Sequence, residues 1–313
     1  MRTARLAFAS AITAAGLWGL SGTAAQALFD FFGFPVLGLV ALRGLVAGLL
    51  LVAVLRNEPR PAFTANFLAV SILGIAGSQV TYLAAIQYSN AVTATLLQYL
   101  FLPIVAAYEA LHGQIQWSRA WSATLALAGV GTLLLVANPV AGSIGVLVTP
   151  AGLLFGLLAA VSAAYYSLAG KSLAERYGSW SVTGWGFLVG GIVTLPFGAG
   201  SLLSYTPPHG VEDRLAVIGL VGFVILFGTL LAYGLYLFGL RHLPATEVGV
   251  AAAGEPIGAA AATYGFLGVT LSTLQYVGGA LIVVAVALLG FRRGRDGREP
   301  PDDPASAPSK PLS

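Results

Sequence analysis

The feature that most constrains the fold of this chain is a succession of long apolar segments separated by short polar breaks. A membrane-spanning helix needs about 20 mostly apolar residues. Ten segments meet this requirement, at about 6–28, 35–55, 66–88, 91–111, 120–137, 151–170, 181–199, 215–239, 244–267 and 271–290. Charged residues make up only 9% of the chain, whereas soluble proteins have about 25%. The sequence therefore predicts an all-α integral membrane protein with ten transmembrane helices.

The second half of the chain repeats the first. The segment YLAAIQYSNA (82–91) returns as YLFGLRHLPA (236–245), which aligns Tyr82 with Tyr236 and Gln79 with Tyr233. The first and last segments of each half also match, LWGLSGTAAQAL (17–28) with YYSLAGKSLAER (165–176) and 117–135 with 271–289. Five spans are an odd number, so the second repeat must cross the membrane upside down, as in many secondary transporters. We predict five-span repeats at 1–145 and 146–290, followed by a disordered cytoplasmic tail at 291–313.

Basic residues predict the orientation, since cytoplasmic loops of membrane proteins are rich in Lys and Arg. With a cytoplasmic N-terminus, twelve basic residues lie on the inner side and only Arg214 on the outer side. The inner set is Arg2, Arg5, Arg56, Arg60, Arg119, Lys171, Arg176, Arg241, Arg292, Arg293, Arg295 and Arg298. This bias predicts that both termini are cytoplasmic.

The first apolar segment has a second interpretation. Arg2 and Arg5 precede it, and Ala25-Gln26-Ala27 resembles the small-residue cleavage site of a signal peptide. However, the segment has a counterpart at 165–176, and cleavage would leave the two repeats unequal. A retained first span is therefore favoured.

Several motifs together resemble one transporter family. They are Trp18-Gly19, Arg43, Thr-Ala-Thr-Leu-Leu at 93–97, Pro103 and Glu255-Pro256. In these features the chain resembles the ten-span EamA branch of the drug/metabolite transporter superfamily. The resemblance implies export of amino acids and other small metabolites through a cavity lined mainly by spans 1, 3, 4, 6, 8 and 9.

A shorter motif points to a branch of that family. Gln98-Tyr99-Leu100 is similar to a run in YddG-type aromatic amino-acid exporters. The chain also departs from many members, because Gly113-Gln114 and Gly268-Val269 stand where those members have Gly-Glu after spans 4 and 9. A function assigned to that acid is therefore not carried over.

Two charged residues lie deep within predicted spans, where ionisable groups are costly. Arg43 is in span 2 and Glu255 in span 9. They could form a charge pair, or clamp a zwitterion with Arg43 on its carboxylate and Glu255 on its ammonium group. Glu255 could also carry a proton. The alternative is structural, with Arg43 bonded to backbone carbonyls and Glu255 protonated or bonded to a neighbour.

Uncharged polar and aromatic residues recur at matched places in the two repeats, which suits a cavity for an amphipathic solute of modest size. The predicted substrate-binding residues are Trp18, Ser21, Gln79, Tyr82, Gln98, Tyr99, Ser162, Tyr165, Tyr233, Tyr236 and Glu255. Pro103 and Pro256 are predicted kinks or hinges. An interfacial aromatic belt is the alternative, and it suits the span ends at Tyr88, Tyr177, Trp180 and Tyr205 better.

Three further ionisable residues have simpler interpretations. Glu109 and His112, one helical turn apart, are expected to reach towards the membrane interface, although a proton relay is an alternative. Glu247 fits a carboxylate in the first turn of a helix, where the dipole favours it.

The motifs that are missing exclude other classes of protein. The chain has no cysteine, which excludes disulfides and thiolate zinc sites. It has no GxxxxGK[ST], HExxH or GxSxG motif, so we predict no ATP coupling within the chain, no enzyme activity and no metal or other cofactor. Nor is an ATPase or nucleic-acid partner expected.

The predicted function is export of small metabolites across a bacterial inner membrane, most plausibly aromatic or apolar amino acids. Transport would proceed by alternating access, driven by the substrate gradient or by protons. The alternatives are an exporter of nucleosides, sugars or cationic drugs and, with less support, a membrane enzyme.

Overall fold

The structure, a computed structural model, describes residues 2–55, 58–112, 119–135, 148–242, 252 and 254–296. Within these residues every regular element is a helix. The first predicted repeat contains α1 (Arg2–Phe32), α2 (Val36–Val54), α3 (Ala65–Tyr88), α4 (Ala91–Gln98), α5 (Phe101–Leu111) and α6 (Arg119–Leu135). The second contains α7 (Pro150–Tyr177), α8 (Ser179–Ser204), α9 (Val211–Ile225 continuing through Leu226–Leu231 to Ala232–His242), α10 (Glu255–Leu267) and α11 (Thr273–Asp296). Helical structure thus lies at each predicted apolar segment.

Among the described residues, six helices are long and apolar enough to cross a membrane: Arg5–Phe32, Val36–Val54, Ala65–Tyr88, Pro150–Gly170, Trp180–Ser204 and Val211–Tyr236. The shorter apolar helices are Ala91–Val105, Ser122–Leu135 and Thr273–Ala285. Large apolar side chains point outward along these helices, with Leu203 88%, Leu133 70% and Ile218 68% exposed. Such a surface is stable against lipid and not against water. The chain is an integral membrane protein, and the number of ten spans stays a prediction.

The fourth apolar segment is a broken helix. Helix α4 ends at Gln98 with Tyr99 as its C-cap, and α5 starts at Phe101, so Pro103 falls in the first turn of α5. Pro256 likewise lies in the first turn of α10. A first-turn N–H has no intrahelical acceptor, so proline costs no hydrogen bond at these places. Whether either proline acts as a hinge stays a prediction.

Glycines bring helices of the two repeats into close contact. A Cβ at Gly44 of α2 would lie 2.8 Å from Gly191 Cα of α8, and one at Gly131 of α6 would lie 2.8 Å from the carbonyl oxygen of Gly278 in α11. These small residues let paired backbones approach closely, as in other membrane helix bundles. The GxxxG-like spacing at Gly44 and Gly48 therefore serves packing within the chain.

Helix α1 lies between the other helices. Residues 21–29 are all buried, and α1 contacts α4, α9 and α10. Removal of this helix would expose the interior of the bundle, which supports its retention as a span.

Candidate functional site

The candidate site is built around residues 18–26 of α1. Gly19 lies against α10, since a Cβ there would be 2.6 Å from Ala259 N and 3.0 Å from the carbonyl oxygen of Glu255. One turn later, a Cβ at Gly22 would be 2.6 Å from the hydroxyl of Tyr82. These two glycines therefore let α3 and α10, one from each repeat, touch the same stretch of α1.

Three predicted aromatic residues form a cluster, which we call the aromatic cluster: Trp18, Tyr233 and Tyr236. The Trp18 ring lies 5.2 Å from Tyr233 in an edge-to-face arrangement and 5.1 Å from Tyr236. Phe187 of α8 contacts the other side of Tyr233 at 5.3 Å. Tyr233 and Tyr236 are three residues apart and so share a face of α9. The cluster places an apolar surface with phenol hydroxyls between α1 and α9.

Tyr99 and Glu255 connect the break between α4 and α5 to the start of α10. The Tyr99 hydroxyl donates to the carbonyl oxygen of Ala252 at 2.6 Å and to Oε2 of Glu255 at 2.9 Å. Both side chains are buried, with 6% and 7% exposed. Because Tyr99 belongs to the first repeat and Glu255 to the second, this contact crosses between the repeats.

The contact also depends on protonation. A tyrosine hydroxyl carries one proton, so it can donate fully to only one of the two acceptors. If it donates to Ala252, Oε2 of Glu255 completes the second bond only when the carboxyl group carries a proton and donates it to the tyrosine. If Glu255 is ionised, its carboxylate attracts the tyrosine proton and Ala252 loses that donor. The protonation state of Glu255 therefore determines whether the Tyr99 hydroxyl donates its hydrogen bond to Ala252 or to the carboxylate.

Two other predicted residues of the first repeat, Tyr82 and Gln98, form hydrogen bonds that join α3 to α4. Tyr82 shares a 3.0 Å hydrogen bond with Thr95 of α4, and Gln98 donates to Ser78 of α3 at 3.0 Å. Gln79 differs, because its buried Oε1 has no hydrogen-bond partner among the described residues. A small pocket lined by Gln79, Arg43 and Phe187, among others, lies beside it. The pocket has room for about one water molecule.

Arg43 is buried, with 5% exposed, and binds α9. Its Nε donates to Thr229 Oγ1 at 2.6 Å, and its Nη2 is 3.4 Å from the carbonyl oxygen of Gly228. In the described part of the chain, none of its hydrogen bonds reaches Glu255. The geometry thus resembles the structural alternative for Arg43 more than a charge pair.

Three predicted residues remain, Ser21 of α1 and Ser162 and Tyr165 of α7, and their contacts differ. Ser21 lies against Gly228, and Ser162 Oγ would be 3.2 Å from a Cβ at Gly77. Tyr165 packs against the Phe67 cluster between α3 and α8. Its neighbour Tyr166 packs against a second cluster that also includes Tyr233. Tyr166 is therefore the tyrosine of α7 that contacts the same core as the aromatic cluster.

Three hydroxyl-bearing residues at the site were not predicted: Thr95, Thr229 and Thr263. Thr263 shares a 2.9 Å hydrogen bond with Thr23 of α1. Thr95 lies within the Thr-Ala-Thr-Leu-Leu motif at 93–97. Threonine is common in apolar helices, where it can bond its own backbone, so sequence alone has no signal that separates Thr229 and Thr263 from other threonines.

The residues with simpler interpretations lie at the edges or outside the described part. Tyr88 is 45% exposed and stacks on Phe155 at 5.7 Å. His112 is exposed, with Nδ1 2.8 Å from the carbonyl oxygen of Tyr108. Glu247 and the side chain of Glu109 are outside the described residues.

The chain is similar in sequence to known proteins from three organisms. The chain is 29% identical to the uncharacterized inner membrane transporter YicL of Salmonella typhimurium, over 95% of this chain and 99% of that protein. It is 28% identical to an uncharacterized transporter of Archaeoglobus fulgidus, over 75% of this chain and 78% of the other. A chloroplastic WAT1-related protein of Arabidopsis thaliana is also 28% identical, over 88% of this chain and 68% of that protein.

A solved crystal structure shares the fold. The likeness covers 92% of this chain and 98% of the other, with a TM-score of 0.58 at 20% identity. The EamA-like transporter family model matches residues 5–135 and 150–291, which is most of the chain. The chain belongs to the EamA-like transporter family.

Proposed function

We propose that this membrane transporter exports small amphipathic metabolites, with aromatic or apolar amino acids as the leading class. It would work by alternating access around a site formed by α1, α3, α4, α9 and α10. The single observation that carries the proposal is the meeting of both repeats on one stretch of α1, where the aromatic cluster and the Tyr99–Glu255 contact lie. An aromatic surface beside a carboxylate matches a solute with an apolar side chain and an ammonium group.

The two matched stretches of the family model support the two-repeat organisation. A membrane site at the interface of two inverted repeats is the usual arrangement in secondary transporters, because rocking of one repeat against the other exposes the site to each side in turn. The name of the Salmonella relative supports an inner-membrane location, and the distribution of basic residues supports cytoplasmic termini.

Glu255 is the proposed coupling residue. Since the protonation state of Glu255 determines whether the Tyr99 hydroxyl donates to Ala252 or to the carboxylate, substrate binding that displaces this proton would also change the hydrogen bonding between the repeats. An intramembrane carboxylate with a named partner is a typical proton-relay element in transporters.

The test is counterflow and uptake in proteoliposomes of the purified protein with labelled phenylalanine, tryptophan and leucine, with and without a pH gradient. We expect the wild type to show saturable flux that changes when a pH gradient is applied. In Glu255→Gln, the flux should no longer respond to the gradient. Tyr264→Phe is the matched control, since this tyrosine is also in α10 but 62% exposed on the outer surface. It should transport as the wild type does. Absence of flux for every amino acid, from protein that is folded by circular dichroism, would contradict the substrate class.

One observation favours a second class of substrate, the organic cations. A cation would bind best to a carboxylate without a basic partner, and Arg43 bonds to α9 instead of Glu255 in the described residues. The same proteoliposomes should therefore be tested with labelled tetraphenylphosphonium. Its transport without amino-acid flux, abolished by Glu255→Gln, would establish the second class.

A further inference from the structure

Helices α3 and α9 contain π-helical segments at matched places in the two repeats. The segments are Val70–Ala76 and Leu226–Leu231. Each ends with a backbone bond to the fifth residue back, Gly77 N to Ile72 O in α3 and Ala232 N to Phe227 O in α9. The alignment of Tyr82 with Tyr236 places these two bonds within one residue of each other. π-Helical turns are rare and often occur at functional sites.

The segment in α9 is held from two sides by side chains of the first repeat. Gly228 lies directly against Ser21 of α1. On the other side, Arg43 of α2 donates to Thr229 Oγ1 at 2.6 Å and reaches Gly228 O at 3.4 Å. Thr229 in turn donates to the carbonyl oxygen of Val224 at 2.9 Å, five residues back. The Arg43–Thr229 contact thus lies within the π-helical segment of α9, where the backbone departs from α-helical register.

The segment in α3 has no such clamp among the described residues. Gly44 and Gly191 meet where α2 packs on α8, and the residue before each is Arg43 in α2 and Gly190 in α8. A Cβ at Gly190 would be 3.0 Å from Ala76 Cβ and 3.6 Å from Ser71 O, next to the α3 segment. The side-chain hydrogen bond there, from Ser71 to Phe67 O at 2.8 Å, is local to the helix. The π-helical segment of α9 is therefore hydrogen-bonded by a side chain of another helix, whereas the segment of α3 is not, among the described residues.

The register of α9 decides where the aromatic cluster lies. A π-helical turn contains one more residue than an α-helical turn, and each residue of an α-helix turns the chain by about 100°. If the segment reverted to α-helix or moved along the chain, the residues beyond it would rotate relative to α1. Tyr233 and Tyr236 follow the segment directly and face Trp18 only in the present register.

We propose that Arg43 and Thr229 form a clamp that holds the α9 π segment in the register presenting Tyr233 and Tyr236 to Trp18, and that α9 changes this register when the clamp opens. Arg43 is then a positioning residue, not a ligand for the transported solute. The proposal does not depend on the proposed substrates.

The test compares Thr229→Val, which keeps the shape and removes the hydroxyl, with Thr229→Ser, which keeps the hydroxyl. Hydrogen exchange of the purified protein in lipid nanodiscs, with no substrate, is followed in peptides covering 226–236 and 70–76. We expect exchange at 226–236 to rise about tenfold or more in Thr229→Val, because a buried charged group loses its hydrogen-bond partner. Thr229→Ser should restore wild-type exchange, and 70–76 should not change in either variant.

Trp18 gives a second readout of the same register. In protein with the other four tryptophans replaced by phenylalanine, the emission of Trp18 should shift in Thr229→Val and not in Thr229→Ser. Arg43→Gln should reproduce the Thr229→Val pattern. Wild-type exchange and emission in Thr229→Val would overturn the clamp, and so would exchange that rises equally in every helix, since that pattern indicates general loosening.

Discussion

Single small residues on α1 decide how closely the two repeats approach. Gly16 and Gly19 are one turn apart in the same helix, yet a Cβ at Gly16 would meet nothing within 4 Å. A Cβ at Gly19 would meet backbone atoms of Ala259 and Glu255, which cannot move away as a side chain can. The same residue type is therefore required at one position and replaceable at the other.

The first prediction follows from this pair. Gly19→Ala should lower the free energy of unfolding by about 1–3 kcal/mol, the typical cost of overpacking. Gly16→Ala should be neutral or raise it by about 0.5–1 kcal/mol, because alanine favours a helix. Denaturant unfolding in detergent micelles measures both. Equal stability of the two variants would contradict the close contact of α1 with α10.

The second prediction concerns the Tyr99 hydroxyl. Tyr99→Phe leaves the buried oxygens of Ala252 and Glu255 without this donor. We expect a loss of about 1–3 kcal/mol in stability, the usual penalty for unpaired buried polar groups. Tyr165→Phe is the control, since its hydroxyl makes no hydrogen bond with the described residues. A loss of stability as large in the control would refute a specific effect of the Tyr99 bonds.

Short helical elements depend on their end residues. Asn90 begins α4, and its Oδ1 accepts from Thr93 N at 2.9 Å while its Nδ2 donates to Thr93 Oγ1 at 2.9 Å. Gln26 of α1 accepts from Ala91 N at 2.8 Å. Helix α4 has only 8 residues, too few to be stable alone. Its start is thus held by an N-cap and by a side chain of α1.

The third prediction tests this N-cap. Asn90→Ala should cost about 0.5–2 kcal/mol of stability, whereas Asn90→Ser, which can still cap, should cost less than half as much. Thermal unfolding in nanodiscs measures the difference. If alanine and serine were equally destabilising, the amide itself and not its capping bond would be what stabilises the corner between α3 and α4.

At the scale of the whole molecule, the arrangement in the membrane is decided by charge and outward apolar surface. Glu58 and Glu212 are exposed and lie in different polar breaks. With ten spans and a cytoplasmic N-terminus, the break at Glu58 is inside and the break at Glu212 is outside. The outward leucines and phenylalanines of the helices between them face lipid.

The fourth prediction tests this topology. The chain has no cysteine, so Glu58→Cys and Glu212→Cys each introduce a single thiol. A membrane-impermeant maleimide should label Glu212→Cys in intact spheroplasts, and Glu58→Cys only in inverted vesicles. The reverse pattern would invert the orientation, and labelling of both from one side would show that the number of spans between them is wrong.

The sequence by itself determined the membrane class, the positions of the helices and the correspondence of Tyr82 with Tyr236, because length, hydropathy and internal similarity are local properties of a chain. It also singled out Trp18, Tyr99, Glu255 and the two tyrosines of α9. Only the tertiary structure decided that Arg43 bonds Thr229, that Tyr99 bonds Glu255, and that Tyr166 instead of Tyr165 packs against the core around Tyr233. Successive residues of a helix point about 100° apart. Which side chains meet therefore depends on the rotation and close approach of helices far apart in sequence, and the π-helical turns that set this rotation in α9 have no local signature.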